Sequence, residues 1–257
     1  MPSKSRPWER AELLAVFRLY CATPFGKLDQ RNPEIIALAS RLGRTAGAVA
    51  MKANNFSSID PKLKQRNIKG LHNASSADRE LWNRFLSDPE AVALEAEAAY
   101  ENIMGTRNDP MIETEGEFPP GPTEKVLPAK ARLLQSFFRS VVLGAYENRC
   151  ALTGIGIPGL LNASHIIPWH VDEKRRADPT NGICLNALHD RAFDRGLITF
   201  DQDYRVVVSS QLLRQKRDSA LHEILFVEIM GRPLTLPKRF LPDPAALEYH
   251  RTRVFRP

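Results

Sequence analysis

Three of the six histidines of the 257-residue chain lie within residues 162–196, among many Asp and Arg residues. A histidine with a reference pKa of about 6.5 is largely neutral at cell pH, so it can accept a proton or ligate a metal ion. Hydrolysis of a phosphodiester needs a deprotonated water and positive charge beside the phosphorus. The ordered set His165, Asn181 and His189 therefore contains residue types suited to that chemistry.

Short elements must hold these three residues. The patterns predict a strand, a second strand and a helix of about two turns, at residues 162–168, 183–185 and 186–194. His165 would lie on the first strand, Asn181 at the edge of the second and His189 on the helix. Each residue alone has an ordinary structural explanation, because a single strand histidine is usually structural and Asn-Gly is more often a plain hairpin turn.

Four short motifs in this region together form a specific sequence signal. They are RCALTG (149–154), SHIIPW (164–169), DPTNGICL (178–185) and LHDRAFDRGLITF (188–200). In type, order and spacing they resemble the HNH endonucleases, whose active site is a ββα-metal finger, over roughly residues 140 to 210. An ordered set of short motifs is far more specific than three isolated residues.

The resemblance implies a role for each of the three residues. It makes His165 the general base and His189 a metal ligand. It also implies that Asn181 holds the loop together by hydrogen bonds and orients the base. It also implies double-stranded DNA as the substrate and one divalent ion, Mg²⁺ or Mn²⁺. Because neutral imidazole also binds Zn²⁺ and Ni²⁺ well, these two ions remain alternatives.

One metal ligand of the family has no counterpart here. Many members carry Asp or His immediately before the base, where this chain has Ser164. The replacement expected is Asp194 or, less favoured, Asp190. Asp194 lies five positions after His189, about 140° around a helix, so it reaches the same ion only if the helix ends first. Arg195-Gly196 predicts such an end.

A structural zinc is not expected. Many HNH proteins hold one with two CxxC pairs, and the three cysteines of this chain form no such pair. Cys150 matches the first position, Thr153 replaces its partner, and Leu185 and Leu188 replace the later pair. The hypothesis is that a small apolar cluster takes the place of the zinc.

Basic residues near the motifs are candidates for phosphate contacts. Arg191 and Arg195 lie close to the expected metal position, and arginine binds phosphate bidentately. Arg175 and Arg176 either flank the site as phosphate ligands or belong to a solvated loop.

The N-terminal region predicts helices and a second nucleic-acid contact. Residues 42–56, LGRTAGAVAMKANNF, resemble the second half of a helix-turn-helix, in which Lys binds phosphates and Asn can pair with adenine. The candidate DNA-binding residues are Arg44, Lys52, Asn54, Asn55, Lys62, Lys64 and Lys69. An ordinary helical bundle with a charged face is the alternative. The region also resembles the N-terminal domain joined to HNH domains in restriction endonucleases, which implies target recognition and raises the hypothesis of specificity for modified DNA.

Charge and composition divide the chain. Residues 41–70 carry seven basic residues against one acid, whereas residues 85–119 carry nine acids against one arginine. The predicted organisation is α+β: a mainly helical DNA-recognition domain at 1–104, an acidic Pro-rich linker at 105–128 and an HNH nuclease domain at 129–257.

The whole-chain properties indicate the kind of partner. A net charge of +6 and a pI near 9.3 favour an anionic partner. The absence of a signal-peptide pattern and of a long apolar run predicts a cytoplasmic protein without a membrane partner. We predict a metal-dependent DNA endonuclease of restriction type, with a homodimer as a further expectation. The alternatives are an inactive HNH-scaffold DNA-binding regulator and a nuclease directed to RNA or to DNA structure.

Overall fold

The computed structural model describes residues 6–60, 63, 74–105, 126–214 and 220–257, with the backbone alone for 126–128. These residues fall into two compact units, Met1–Phe137 and Phe138–Pro257. In the described part of the chain the first unit is helical, and the second combines short helices with two small sheets. The predicted mixture of a helical N-terminal region and a later strand-and-helix region is therefore confirmed.

The first unit is built from helices with strong local start and stop signals. They are α1 (Arg10–Ala22), α2 (Pro33–Leu42), α3 (Ala46–Ile59), α4 (Ser76–Ser87), α5 (Pro89–Met104) and the first part of α6 (Val126–Ala145). Asn32 caps α2 by accepting from the next amides, and Gly43 ends it in a left-handed conformation. Thr45 then caps α3. Asn, Gly and Thr are residue types typical of these cap positions.

Aromatic side chains fill the core of this unit. Phe17 on α1 lies 5.0 Å from the ring of Phe56 on α3 and 5.1 Å from that of Phe85 on α4, both edge to face. Trp82 on α4 packs against Phe17 as well. Such pairs contribute roughly 0.5–1.5 kcal/mol each beyond the area they bury, so these rings hold the helices at fixed positions.

The second unit contains two antiparallel hairpins around a short helix. Its elements are the end of α6, β1 (Leu161–His165), β2 (Gly182–Asn186), α7 (Ala187–Asp194), β3 (Ile198–Phe200), β4 (Val206–Val208), α8 (Ser210–Arg214), α9 (Ala220–His222), α10 (Pro244–Tyr249) and π-helical turns at Glu223–Val227 and His250–Val254. Strand β1 pairs with β2, and β3 pairs with β4. The order β1, β2, α7 is the ββα arrangement that the motifs predict.

Gly182 explains how helix α6 can pack on the first hairpin. It faces His165 across the β1–β2 pair. A Cβ added to Gly182 would lie 2.4 Å from Val142 Cγ2 and 2.8 Å from Phe138 Cζ, both on α6. The glycine after Asn181 is therefore needed because a helix approaches the strand closely, whereas the sequence indicated a turn.

No helix in the described ranges combines the length and the apolar character needed to cross a bilayer.

Candidate active site

His165 ends β1 in an aromatic environment. Its ring stacks on Phe138 of α6 with centroids 3.7 Å apart, and the ring centroid of Trp169 lies 5.6 Å away at a nearly perpendicular angle. Its Nε2 lies 3.1 Å from the carbonyl oxygen of Arg176. Since a carbonyl only accepts, Nε2 carries the hydrogen and Nδ1 keeps its lone pair. Burial lowers the pKa of His165 to about 4, so the ring is neutral at pH 7.

Asn181 is almost completely buried and fixes the loop that follows His165. Its Oδ1 accepts from the amide of Ile167 at 2.8 Å, and its Nδ2 donates to the carbonyl oxygens of Ile167 at 3.1 Å and Arg175 at 3.3 Å. Its own carbonyl accepts from the amide of Ile166 at 2.9 Å. The structure thus brings Asn181 beside the end of β1, where its side chain sets the path of the chain around His165.

The expected strand at 162–168 therefore ends earlier, at His165. The backbone amides of Ile166 and Ile167 bond to the carbonyl and the side chain of Asn181 instead of continuing the β1–β2 ladder.

Asp190 faces the strand residue that precedes His165. Its carboxylate accepts a short hydrogen bond from Ser164 Oγ and a 2.7 Å bond from Asn162 Nδ2, both on β1. Asp190 is 6% exposed and forms no ion pair with the residues described. The structure therefore places a carboxylate of α7 beside position 164, and it is that of Asp190, the residue that the sequence favoured less. Asn162 was missed because only the strand pairing shows that it faces the helix.

His189 lies about 100° around α7 from Asp190 and is fully buried. Its Nδ1 lies 2.9 Å from Asn186 Nδ2, and its Nε2 lies 2.9 Å from the carbonyl oxygen of Leu225. The amide donates to Nδ1, so Nε2 carries the hydrogen and donates to Leu225. With both ring nitrogens engaged, His189 has no lone pair free for a metal ion in this arrangement, and this geometry does not favour the predicted ligand role.

Cys150 lies against Asn186 and His189, whereas the hypothesis of an apolar cluster predicts leucines beside it. The amide and side chain of Asn186 approach Cys150 Sγ at 3.2 and 3.6 Å. Burial would raise the pKa of the Cys150 thiol, but its contacts with His189 and hydrogen bonds from Thr153 and backbone amides lower the pKa to about 7. Leu188 is 46% exposed. The hypothesis of an apolar cluster is therefore wrong: a polar hydrogen-bonded group occupies this position.

The remaining residues predicted near the metal lie on or beside the surface. Asp194, Arg191 and Arg195 are exposed on α7 and at its end. Arg175 pairs with Asp243 at 2.6 Å. Arg176 pairs with Glu173 and donates to the carbonyl oxygen of Trp169 at 3.0 Å.

Three predicted DNA-binding residues of the first unit are engaged within it. Arg44 pairs with Glu12 at 2.7 Å, and both side chains are 7% exposed. Lys52 pairs with the buried Asp78 at 3.0 Å, and Asn55 donates to the same carboxylate at 3.2 Å. Breaking a buried ion pair costs about 3–5 kcal/mol. Their burial does not favour the predicted contact of these side chains with DNA.

Asn54 is also held by its own unit, since its Nδ2 donates to the carbonyl oxygens of Leu28 and Ala50 at 2.8 Å each. The exposed side chain of α3 is Met51. The predicted contacts at Lys62, Lys64 and Lys69 lie outside the described residues.

The site offers one well-held carboxylate and no larger ligand cluster. Among the described residues, no group of three or more His, Cys, Asp or Glu side chains is placed to hold a metal ion. Consecutive strand residues face opposite sides, and accordingly Ser164 reaches Asp190 while His165 stacks on Phe138. Asn181 thus holds the loop beside His165, and Ser164 reaches Asp190, but among the described residues no hydrogen bond links the side chains of His165 and Asp190.

Comparison with known proteins agrees with the motifs. Residues 150–201 match the model of the family HNH_2, described as HNH endonuclease. The resemblance predicted from the sequence is thereby confirmed for this segment, and it supports nuclease-type activity in general, with DNA as substrate. HNH nucleases generally use divalent metal ions. A search of curated proteins found no match.

Proposed function

We propose that this protein is a metal-dependent DNA endonuclease of restriction type that cleaves with its second unit. The observation that carries the proposal is the state of His165, whose Nε2 bonds to the Arg176 carbonyl and whose Nδ1 forms no hydrogen bond to the part of the chain that is described. The family match over residues 150–201 supports the reaction class.

His165 acts as the general base through Nδ1. The hydrogen bond from Nε2 to the carbonyl of Arg176 fixes the tautomer and the plane of the ring. Stacking on Phe138 excludes water from one face. Because burial lowers the pKa to about 4, the ring is unprotonated throughout the neutral range and its Nδ1 lone pair is available. A pKa this low makes the ring a weak base, so the attacking water would also have to be activated by the metal ion. Asn181 holds the loop that carries the Arg176 carbonyl, because its Nδ2 donates to the neighbouring carbonyl of Arg175.

Asp190 is the proposed metal ligand. Mg²⁺ and Mn²⁺ prefer oxygen donors, and Mg²⁺ commonly binds one or two carboxylates together with water and substrate phosphate. Asp190 fits this pattern because Ser164 and Asn162 hold its carboxylate and no cation neutralises it among the residues described. A divalent ion bound there would stabilise negative charge on the phosphate and on the leaving oxygen.

His189 is proposed to position Asp190. It follows the helix cap Asn186, whose Oδ1 accepts from the amides of Leu188 and His189 at 3.1 and 3.0 Å. The bond from His189 to the Leu225 carbonyl fixes the rotation of α7 about its axis. Asp190 is the next residue, so this rotation determines that its carboxylate faces β1.

The test of the function is cleavage of plasmid DNA. Plasmids with and without cytosine modification are incubated with the protein in Mg²⁺, in Mn²⁺ and in EDTA. We expect metal-dependent cleavage, and a preference between the two plasmids would support recognition of modified DNA. Absence of cleavage of both plasmids with either metal would refute the endonuclease.

A non-cleaving DNA-binding regulator is the second candidate. It is favoured by one observation: the described residues hold a single carboxylate at the site and no cluster of three metal-binding side chains. DNA binding that persists in the absence of any cleavage would support this candidate.

A further inference from the structure

Four exposed arginines of the second unit are not engaged by the residues that the structure describes. They are Arg191, Arg195, Arg253 and Arg256. Their guanidinium groups form no ion pair or hydrogen bond with the described residues. Every other described arginine of the unit contacts a carboxylate, another oxygen or an aromatic ring. Among the described arginines of the unit, those without such a contact are thus confined to α7 with its C-cap and to the C-terminal segment.

Backbone contacts bring these two segments together. The amide of Arg256 donates to the carbonyl of Gly196 at 2.9 Å. Gly196 has a φ of +68°, and a Cβ there would lie 2.1 Å from the carbonyl oxygen of Val254. Farther back, His250 stacks on Phe193 at 3.7 Å and bonds to its carbonyl. The C-terminal segment is therefore fixed against the end of α7, with its arginines beside those of the helix.

The helical spacing places this basic surface away from the buried carboxylate. Arg191 and Arg195 are four residues apart, so they share one face of the helix. Asp190 lies about 100° from Arg191 around the axis and faces β1. The exposed carboxylate on this stretch is Asp194.

We propose that Arg191, Arg195, Arg253 and Arg256 together bind the phosphodiester backbone of the DNA substrate. The proposal rests on the proposed function and adds the C-terminal segment to its substrate-binding surface. Guanidinium groups match phosphate oxygens bidentately, and these four need break no ion pair with the described residues to do so. Such contacts carry no sequence information and serve to hold and orient the duplex.

The salt dependence of binding tests the new part of this surface. The variant Arg253→Gln/Arg256→Gln of the full chain is titrated with a short labelled duplex, without divalent metal, between about 50 and 200 mM salt. Each phosphate contact adds about 0.9 to the slope of log K against log salt, so we expect the slope to fall by about 2. At about 0.1 M salt this corresponds to binding up to about 60-fold weaker.

Two matched variants control for charge and folding. Arg205→Gln/Arg232→Gln removes the same charge from the same unit. In the parent, however, these two guanidinium groups already bond to the carbonyl of Gly231 and to Glu228. We expect a smaller change of slope there. Arg253→Lys/Arg256→Lys keeps the charge and should retain the parental slope. Thermal unfolding of each variant reports whether the fold is intact.

The outcomes separate this inference from the proposed function. A parental slope for Arg253→Gln/Arg256→Gln, or an equal loss in Arg205→Gln/Arg232→Gln, would overturn the surface even if the parent cleaves DNA. A selective loss of slope with a parent that cleaves nothing in Mg²⁺ or Mn²⁺ would support the surface and refute the endonuclease.

Discussion

Replacing Asp190 by Asn should separate metal binding from folding. The carboxylate is 6% exposed and accepts from Ser164 and Asn162. Burial of a charge without a cation costs several kcal/mol. The two charge-assisted hydrogen bonds, at roughly 1.5–3 kcal/mol each, offset this cost. An amide of the same shape can still accept from Asn162 and donate to the Ser164 oxygen. We therefore expect the free energy of unfolding without metal to change by no more than about 1–2 kcal/mol.

Added metal should then distinguish the parent from Asp190→Asn. A ligand at 100 times its dissociation constant stabilises the folded state by about 2.7 kcal/mol, which for a chain of this size raises the unfolding midpoint by about 5–10 °C. Thermal unfolding in EDTA and across a Mn²⁺ titration measures this shift. We expect it in the parent and not in Asp190→Asn.

Asp194→Asn is the matched control, because it makes the same charge change at an exposed position of the same helix. It should retain the metal-induced shift. A full shift in Asp190→Asn, or its loss in Asp194→Asn, would refute the assignment of the ligand to Asp190.

Three further changes test the scaffold around the site. Asn181→Ala removes three side-chain hydrogen bonds and should lower the free energy of unfolding in urea by about 2–4 kcal/mol; a change below 1 kcal/mol would contradict its role as the loop clamp. Gly182→Ala should cost about 1–3 kcal/mol because its Cβ overlaps α6, whereas Gly47→Ala within α3 should be neutral or stabilising. Burial lowers the pKa of His250 and of His165 to about 4, so stability is complete above about pH 6.5 and falls by about 3 kcal/mol per histidine toward pH 4. His250→Gln should remove about half of that fall in urea midpoints, and an unchanged pH profile would count against the burial of a neutral ring.

The helix ends were predictable because their signals are local. Asn32, Gly43 and Thr45 act within three or four residues of their own positions, so their side-chain chemistry alone determines where α2 ends and α3 begins. The order β1, β2, α7 followed from the spacing of the motifs in the same way.

The orientation of α7 was not predictable from the motifs. His189 and Asp190 are consecutive, and a rotation of about 100° decides which one faces β1. That rotation is set by contacts distant in sequence, among them the bond from His189 to the carbonyl of Leu225, 36 residues away. The sequence pattern contains both candidates for a ligand but not the packing that selects between them.

The contacts of the polar side chains on α3 were not predictable for a similar reason. Lys52 and Asn55 have the types expected of a DNA-recognition helix, yet both bond to Asp78, which belongs to another helix. Local periodicity does not reveal an ion pair across 26 residues. Buried charges paired at long range are therefore the main source of error in the first unit.

Single-turnover cleavage of plasmid DNA by His165→Ala tests the central claim most directly. The control is His170→Ala, which changes an exposed histidine five residues along the chain. With saturating protein and Mg²⁺ or Mn²⁺, loss of the general base should slow cleavage by about 10²–10⁴-fold, while His170→Ala should cleave at the parental rate. Thermal unfolding confirms that both variants are folded. Cleavage by folded His165→Ala at the rate of the parent would contradict the account.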